Sequence, residues 1–463
     1  MRFSAAVTAD RLLPAPLARH ARPVLSKLDG VLFAADERGA ASRMSMIAFA
    51  IRVGSAAIAF GSQVVLARAM GGFDYGIFVL VWTTVVIAGS LSCLGFHASV
   101  VRFVPEYREK GLIEELRGIV LASRLLVLVA STALMGVGLL AFWLLSGRIE
   151  AYYVAPFVIG ILCVPMVALS DTLGGLARAQ SWAVASLAPV YLVRPLLILL
   201  FVLGAIGLGY PPSAQTAAVS ALLATYATAL GQLVGVTKAT SRQAGRGPSR
   251  MMVRHWLAVS LPIFLVEGFF FLLTNADVLM VGVFMEPHDV AVYFATVKTL
   301  ALVHFVYFAV KAGTGQRFAQ FAHGDRARLA SLARDSVSWT FWPSLALALA
   351  VLILGEPMLS LFGPEFTAGY ALLFPLLLGV TARAAIGPAE TLLTMTGHQN
   401  ACAAVFGLTL LLNVALSVAL IPVFGLWGAA FATAASILFE AAMLAFTVWR
   451  RLGIVMFVFA PKR

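Results

Sequence analysis

The sequence predicts an all-α polytopic membrane protein with about twelve transmembrane helices, arranged as two six-helix lobes around a central cleft. Three observations support this fold class: the composition, the apolar runs of membrane-spanning length and an internal repeat. Of the 463 residues, 61% are hydrophobic and only 12% are charged. Because a soluble domain contains about 25% charged residues, this chain lacks the polar surface that water solubility requires. The composition therefore excludes a soluble enzyme, a secreted disulfide scaffold and a disordered protein.

Twelve apolar runs are long enough to cross a bilayer. About 20 residues are needed, because a helix rises ~1.5 Å per residue through a hydrocarbon core of ~30 Å. The first six runs are predicted at 44–69, 75–97, 118–146, 151–170, 183–207 and 212–236. The second six are predicted at 256–284, 290–312, 336–355, 367–388, 401–421 and 424–448. Only the stretch from Pro422 to Gly425 separates the last two.

The distribution of basic residues predicts the orientation of the chain. With a cytoplasmic N-terminus, 27 of the 33 lysines and arginines lie on the inner face, whereas the outer loops contain only Arg68 and Arg148. By the positive-inside rule, both termini are therefore cytoplasmic. This topology and the anionic lipids of the inner leaflet account for the basic excess, so we expect no nucleic-acid partner.

These spans divide the chain into five parts. The first three are a cytoplasmic tail (1–43), an N-lobe with helices 1–6 (44–236) and a basic linker (237–255). The last two are a C-lobe with helices 7–12 (256–448) and a second cytoplasmic tail (449–463). Residues 1–43 contain no apolar stretch long enough for a signal peptide. The three cysteines, Cys93, Cys163 and Cys402, lie in apolar runs without metal-ligand spacing, so we interpret them as small hydrophobic residues.

The two halves resemble each other. A single shift along the sequence aligns Asp74 with Asp289 and pairs the Arg-Phe dipeptides at 102–103 and 317–318. A slightly longer shift aligns Asp171 with Glu390. These matches fall at equivalent points of the predicted topology. Because each half has an even number of helices, the repeat is predicted to be parallel, with a cleft between the two bundles.

Charged residues inside the predicted spans are candidates for function, because a charge at mid-bilayer costs about 2.5–3.5 kcal/mol on insertion scales. We assign Arg52, Arg194 and Lys298 to a cationic, substrate-binding cleft, suited to a phosphate or pyrophosphate. Arg124 lies near the inner boundary, where snorkelling explains it. Glu267 and Asp277 are candidates for gating and for coupling to a proton or Na⁺.

The repeat relates two of these charges. The shift that aligns Asp74 with Asp289 also places Arg52 on Glu267, which predicts similar depths across the cleft. We expect an ion pair that forms in one conformation and breaks in another, as a gate. A static structural pair and two unrelated polar positions are the alternatives.

Several motifs resemble those of a known family. The stretch 64–78 (VVLARAMGGFDYGIF) resembles the first-loop signature of polysaccharide flippases, with Met70 in place of a leucine. Three shorter stretches resemble other parts of these flippases: 94–103 the end of the second helix, 277–295 the start of the second half, and 393–397 the loop after the tenth helix. The similarity covers roughly residues 44–450. It is to the Wzx-type oligosaccharide flippase branch of the multidrug/oligosaccharidyl-lipid/polysaccharide exporter (MOP) superfamily.

The resemblance implies translocation of undecaprenyl-pyrophosphate-linked oligosaccharides across the bacterial inner membrane for O-antigen, capsule or exopolysaccharide synthesis. It also implies 12 to 14 helices around a cationic cavity, with a polysaccharide polymerase and a chain-length regulator as candidate partners. A multidrug exporter of the same fold, which favours an acidic cleft, is one alternative. A peptidoglycan lipid-precursor flippase, for which fourteen spans are expected, is another.

An enzymatic function is not predicted. The outer loops are short, and no nucleophile–base pair or metal cluster can be assembled from their few acidic residues and one histidine. We expect no cofactor beyond a coupling H⁺ or Na⁺. No ATP-binding motif is present, so the energy must come from a gradient or from consumption of the product.

Overall fold

The computed structural model describes residues 37–245, 247–322 and 324–460, and these ranges are helical without any strand. Residues 1–36 of the predicted N-terminal tail therefore lie outside the described part of the structure. Three short 3-10 or π segments, Ser146–Arg148, Pro189–Val193 and Pro364–Leu372, interrupt the helices. In chain order the helices are α1 Glu37–Ser92, α2 Phe96–Glu109, α3 Ile113–Leu145, α4 Ala151–Ile161, α5 Val164–Ala179, α6 Ala183–Ala188, α7 Arg194–Gly207, α8 Ala214–Ala244, α9 Val253–Leu273, α10 Ala276–Phe284, α11 Pro287–Phe321, α12 Arg326–Ser360, α13 Leu373–Ala384, α14 Ala389–Met395, α15 Gln399–Phe424 and α16 Leu426–Leu452.

Helix α1 is two membrane crossings joined by a turn. Its 56 residues are interrupted at Gly71, whose φ of 76° and ψ of 165° are not helical. The Tyr75 hydroxyl donates a hydrogen bond to Gln63 Oε1 at 2.9 Å. In a straight helix, residues twelve positions apart are separated by about 18 Å, so this bond requires the chain to fold back. The first-loop motif thus forms a helical hairpin.

The number of spans agrees with the predicted fold class. Ten described helices are long and apolar enough to cross a membrane, and the pair α4–α5, bent by 40°, adds an eleventh. The first of the ten, Gly54–Glu109, contains the turn at Gly71. Counting its two arms separately gives twelve, and the all-α, multi-span fold class is confirmed.

The helix boundaries recur at the spacing of the proposed repeat. The shift that aligns Asp74 with Asp289 also places the turn at Gly71 on Glu286, the break between α10 and α11. Helices α3 and α12 begin at Ile113 and Arg326, at nearly the same offset. This regularity supports the predicted two-lobe repeat, which remains a prediction.

Some boundaries differ from those predicted. Helix α8 extends to Ala244, beyond the predicted end at 236, so the described link to α9 is short. After α16 the chain packs back on the C-terminal half, where the Val458 amide donates to the Ala385 carbonyl at 3.0 Å. The predicted C-terminal tail therefore includes an ordered contact with the helical bundle.

The apolar core is shared by both halves at one end of the molecule and divided at the other. The shared outer core joins Tyr75 of α1 to Phe294 of α11 and to Phe366, with ring centroids 6.3 and 6.2 Å apart. A separate inner N-core contains residues such as Phe96 and Leu173. A separate inner C-core contains residues from α11, α12 and α14–α16. The names outer and inner follow the predicted orientation. The two halves thus share one apolar core at the outer end, whereas at the inner end the described apolar cores are separate.

Helix α9 connects the two inner cores. At its start, Trp256 donates a 2.9 Å hydrogen bond to the Tyr107 hydroxyl, and the Ser260 and Ser99 hydroxyls lie 2.6 Å apart. Its second half packs against the inner C-core through Phe269 and its neighbours. Although α9 follows the predicted linker, its first turns therefore pack with helices of the N-terminal half.

Candidate functional site

A cavity of about 350 Å³ lies between the inner N-core and the inner C-core. This volume is at the small end of the range for ligand-binding cavities. Helices α1, α2, α5, α6, α9 and α11 contribute to its wall, so residues from both halves of the sequence face the same space. Its lining consists of Ser90, Leu91, His97, Ser170, Asp171, Gly174, Arg178, Ser186, Leu187, Val190, Tyr191, Phe264, Glu267, Gly268, Phe270, Phe271 and Lys311.

One face of α9 forms the aromatic side of the cavity. Phe264, Glu267, Gly268 and Phe271 follow the i, i+3, i+4, i+7 spacing that places side chains on a single helix face. Gly268 lies between the two rings, and Leu91 and the Phe264 ring pack over it. Phe270 also reaches the lining, but its ring is 5.4 Å from that of Phe406 in the inner C-core.

Helix α5 forms the opposite, polar side. Asp171, Gly174 and Arg178 recur at helical spacing and face the cavity. The Ser90 hydroxyl donates a 3.0 Å hydrogen bond to Asp171 Oδ2. Arg178 Nη2 donates to the His97 carbonyl at 3.2 Å, and Arg178 forms no ion pair with a described carboxylate. Its charge therefore remains available to a ligand.

The contact between the two walls is a hydrogen-bonding contact between a histidine and a carboxylate. His97 Nε2 on α2 lies 2.8 Å from Glu267 Oε2 on α9. Because α2 belongs to the inner N-core and α9 extends into the inner C-core, this pair links the two parts of the structure. It is the type of contact that an alternating-access gate must make and break.

Lys311 brings the second permanent positive charge to the cavity. Its ammonium lies 3.5 Å from Glu390 Oε1 and 5.5 Å from the centre of the Phe270 ring. Glu390 is held more closely by Arg383, with 2.6 Å between Arg383 Nη2 and Glu390 Oε2. Tyr307 also donates to Glu390. Since Glu390 keeps Arg383 and Tyr307 as partners and Lys311 is 38% exposed, the ammonium can contact an anion in the cavity without leaving Glu390 unpaired.

The structure separates the residues predicted for the site. Glu267 lines the cavity, whereas Arg194, Lys298 and Asp277 do not. Asp277 is buried and accepts a 3.2 Å hydrogen bond from Tyr293. Lys298 lies 4.6 Å from the Phe294 ring centre, near the outer core. Arg194 and Lys298 as cleft residues, and Asp277 as a gating or coupling residue, remain predictions.

Arg194 lies behind the cavity wall. Its guanidinium carbon is 5.4 Å from the Trp82 ring centre, and its buried Nη1 has no described partner. The preceding π-helical segment Pro189–Val193 contributes Tyr191 to the cavity. Pro195 has no N–H to bond to the Tyr191 carbonyl, which explains the wider turn. This turn directs Arg194 towards Trp82.

The proposed gate between Arg52 and Glu267 is only partly described. The backbone at Arg52 is helical, but its side chain lies outside the described part of the structure. Glu267 pairs with His97, which the sequence analysis did not select. The Arg52–Glu267 contact therefore remains a prediction for another state of the protein.

Four ionisable lining residues were missed: His97, Asp171, Arg178 and Lys311. Arg178 and Lys311 are at the inner ends of spans, where the positive-inside rule assigned them to loops. The repeat contained a signal for the acids, since it aligned Asp171, which lines the cavity, with Glu390, which contacts Lys311.

Comparisons with known proteins agree with this architecture. The model of a family described as polysaccharide biosynthesis protein matches residues 43–312, more than half of the chain. No curated protein sequence gives a match.

Several solved structures share the fold at low sequence identity. An inward-facing multidrug resistance MATE family transporter of the MOP superfamily is 14% identical, with a TM-score of 0.68 over 86% of this chain and 94% of that chain. The lipid II flippase MurJ, in an inward closed conformation, is 13% identical, with a TM-score of 0.67 over 87% of each chain. A MOP superfamily transporter from Pyrococcus furiosus is 14% identical, with a TM-score of 0.61 over 92% of this chain and 97% of that chain.

Proposed function

Because this chain belongs to the polysaccharide biosynthesis protein family, we propose that it is a flippase for undecaprenyl-pyrophosphate-linked oligosaccharides. It moves them by alternating access across the bacterial inner membrane, with both of its termini in the cytoplasm. The product supplies the synthesis of a surface polysaccharide such as O-antigen, capsule or exopolysaccharide. A polysaccharide polymerase and a chain-length regulator are the expected partners at the outer face. The protein transports its substrate without catalysing a covalent step.

The observation that carries this proposal is the division of the apolar core. One shared core closes the outer end, while two separate inner cores leave a polar cavity between them. A lipid head group enters such a cavity from the cytoplasmic leaflet. Reversal of the packing, with the inner cores joined and the outer core parted, releases it on the other side.

The charges in the cavity suit the anionic head group. Arg178 and Lys311 approach from opposite walls and supply two permanent positive charges to a pyrophosphate. Arg52, Arg194 and Lys298 are further candidates along the path in other conformations. The prenyl tail remains in the bilayer beside the exposed apolar helix faces.

Two acids are available for coupling to an ion gradient. Glu267 is the candidate closest to the substrate, because it lines the cavity and pairs with His97. Asp277, buried beside Tyr293, is the second. H⁺ and Na⁺ both fit this role.

A multidrug exporter is the second candidate function, and the acids of the cavity favour it. The two negative charges of Asp171 and Glu267 balance the two positive charges of Arg178 and Lys311. The lining therefore carries less net positive charge than a cleft that binds only anions would carry. The solved structures that share the fold include both a MATE transporter and a lipid II flippase. A peptidoglycan lipid-precursor flippase is therefore a third candidate, with the same head-group chemistry.

The test uses the purified protein in liposomes that contain a prenyl-pyrophosphate-linked oligosaccharide, and follows appearance of the sugar on the far leaflet. We expect Arg178→Gln and Lys311→Gln each to lower the rate about tenfold or more, since a hydrogen bond to a charged group contributes about 1.5–3 kcal/mol. Arg148→Gln, an exposed change at the outer face, is the matched control. Efflux of a cationic dye without movement of the lipid would contradict the proposal and favour the drug exporter.

A further inference from the structure

We propose that the cavity holds a sugar ring between the aromatic face of α9 and the polar face of α5. This inference rests on the proposed function and extends it, because it assigns recognition of the carbohydrate to residues other than the basic pair Arg178 and Lys311. The aromatic wall consists of Phe264, Gly268 and Phe271. The polar wall consists of Ser170, Asp171 and Ser186.

The aromatic wall has the shape that a sugar ring requires. Phe264 and Phe271 are seven positions apart, so they lie on one face of α9 about two helical turns from each other. Neither forms a ring contact with another described aromatic residue, in contrast to Phe270, which packs on Phe406. Their partly exposed faces are therefore available. The negative face of an aromatic ring attracts the C–H groups on the apolar face of a pyranose.

Gly268 lies between the two rings and lets lining residues pack closely over α9. A Cβ at this position would meet Leu91 Cδ2 at 3.4 Å and the Phe264 ring at 3.6 Å, which is ordinary contact distance. Alanine is therefore tolerated by the fold, whereas a larger side chain would displace these two residues of the cavity wall. On the opposite wall, a Cβ on Gly174 would lie 3.3 Å from the Ser186 carbonyl oxygen, so this glycine allows close packing of α5 on α6.

The polar wall supplies partners for hydroxyl groups. An ionised aspartate accepts hydrogen bonds at both oxygens, and the Ser90 hydroxyl occupies only Asp171 Oδ2. Ser170 and Ser186 line the same wall, and within the described ranges neither hydroxyl has a hydrogen-bond partner. The Asp171 carboxylate can thus accept hydrogen bonds from hydroxyls of a sugar, whereas Ser170 and Ser186, 1% and 5% exposed, present little surface to a ligand. An apolar drug would leave these groups without partners.

Two acids on opposite walls restrict the class of sugar. Asp171 and Glu267 both face the cavity, and a carboxylate on the ligand would be repelled by them. The geometry therefore favours a neutral or amino sugar next to the pyrophosphate over a uronic acid. Arg178, which follows Asp171 by about two turns on α5, then lies near the phosphate end of the ligand.

The first experiment compares two lipids in the liposome assay: undecaprenyl pyrophosphate and the same lipid bearing a neutral disaccharide. We expect Phe271→Leu and Asp171→Ala to raise the KM for the glycosylated lipid about fivefold, which corresponds to the loss of about 1 kcal/mol. Gly268→Ala should have a moderate effect and Gly268→Leu a severe one. Transport of the lipid without sugar should be impaired less than transport of the glycosylated lipid, so the ratio of the two KM values should rise in all of these variants.

Two matched controls are available. Phe269→Leu removes an aromatic ring from the same helix on the side of the inner C-core, and Gly231→Leu adds a side chain where α8 has open space. Both should transport the two lipids like the wild type. Equal losses for both lipids in the cavity variants, or no loss for either, would overturn the sugar subsite.

A binding measurement separates this inference from the proposed function. Saturation-transfer NMR with methyl α-glucopyranoside, on the purified full-length protein in nanodiscs, reports contact of the ring protons with the protein. We expect saturation in the wild type and in Phe269→Leu, and its loss in Phe271→Leu. Saturation without flipping would retain the sugar site and refute the flippase. If the protein flips the lipid but Phe271→Leu still shows saturation, the proposed function would stand and the sugar site would be refuted.

Discussion

Arg383 shows how a buried charge is accommodated in this protein. Its guanidinium bridges two buried carboxylates, with 2.6 Å from Nη2 to Glu390 Oε2 and 2.8 Å from Nε to Glu440 Oε1. Nη1 also donates to the Gly387 carbonyl at 3.0 Å. Lys311 adds a second positive charge near Glu390. The set is neutral as a whole, which is what a low-dielectric interior requires.

Removal of Arg383 should therefore destabilise the protein strongly. We expect Arg383→Met to lower the free energy of unfolding by about 3–5 kcal/mol, because two carboxylates lose their main partner. Thermal unfolding of the detergent-solubilised protein is the measurement. Arg328→Met, which breaks an exposed 3.0 Å pair with Asp325, is the control and should cost less than about 1 kcal/mol. Similar small losses in both variants would contradict this account of Arg383.

At the level of single residues, the sequence predicted which charges are unusual but not where they face. Glu267 was selected because an acid inside an apolar run is costly, and it lines the cavity. Arg194 was selected for the same reason, yet it packs on Trp82. Because these helices are apolar on every side, periodicity does not indicate which face meets the cavity. Lys311 and Arg178 lie at helix ends, where their charges appear ordinary.

The hairpin of α1 has a close contact with α11 that only glycine permits. A Cβ on Gly76 would lie 1.7 Å from the Pro287 carbonyl oxygen. We expect Gly76→Ala to push the two helices apart and to destabilise the protein by about 1–3 kcal/mol, the usual cost of overpacking. Gly61→Ala, on the same helix with no atom within 4 Å, is the matched control. Thermal unfolding in detergent compares them, and equal midpoints would show that the contact is not tight.

Arg68 of the first-loop motif closes the outer end. Its Nε donates to the Leu361 carbonyl and its Nη2 to the Ser360 carbonyl, both at 2.7 Å. These are the last carbonyls of α12, where the helix dipole favours a positive charge. The motif thus ties the α1 hairpin to a helix of the other half.

Loss of this contact should favour opening towards the outside. We expect Arg68→Ala to increase the rate at which a membrane-impermeant thiol reagent, added from the outer side, labels a cysteine introduced at Leu91 in the cavity. Loss of two charge-assisted hydrogen bonds predicts an increase of about tenfold or more. Arg148→Ala, another exposed arginine of the outer face, should have no effect. Unchanged labelling in Arg68→Ala would show that the outer core closes this end without the arginine.

The helices themselves were largely predictable. Apolar runs identified the spans, because length and hydropathy are set by the thickness of the membrane. The predicted break between the first two spans coincides with the turn at Gly71, and the last break falls at Gly425, with a φ of 57°. The polar inner ends were not predicted: α8 continues through Lys238 to Ala244. Charged residues end a hydropathy run, but they do not end a helix.

For the whole molecule, the distribution of positive charge predicts the orientation. We expect a cysteine in place of Arg148 to react with an impermeant thiol reagent added outside intact cells, and one in place of Lys110 to react only after permeabilisation. The native cysteines should contribute little labelling of their own, because Cys93, Cys163 and Cys402 are fully buried. The opposite pattern would invert the topology and the direction of transport.

The attachment of α9 to both inner cores has a mechanical consequence. One end is hydrogen-bonded to Tyr107, the other packs beside Phe406, and Pro262 lies between them. In the proposed alternating-access cycle, the two ends of this one helix would follow different inner cores. Proline removes a backbone hydrogen bond, so bending at Pro262 costs less than elsewhere in the helix. A bend of α9 at this point would change the position of the cavity wall that its second half carries.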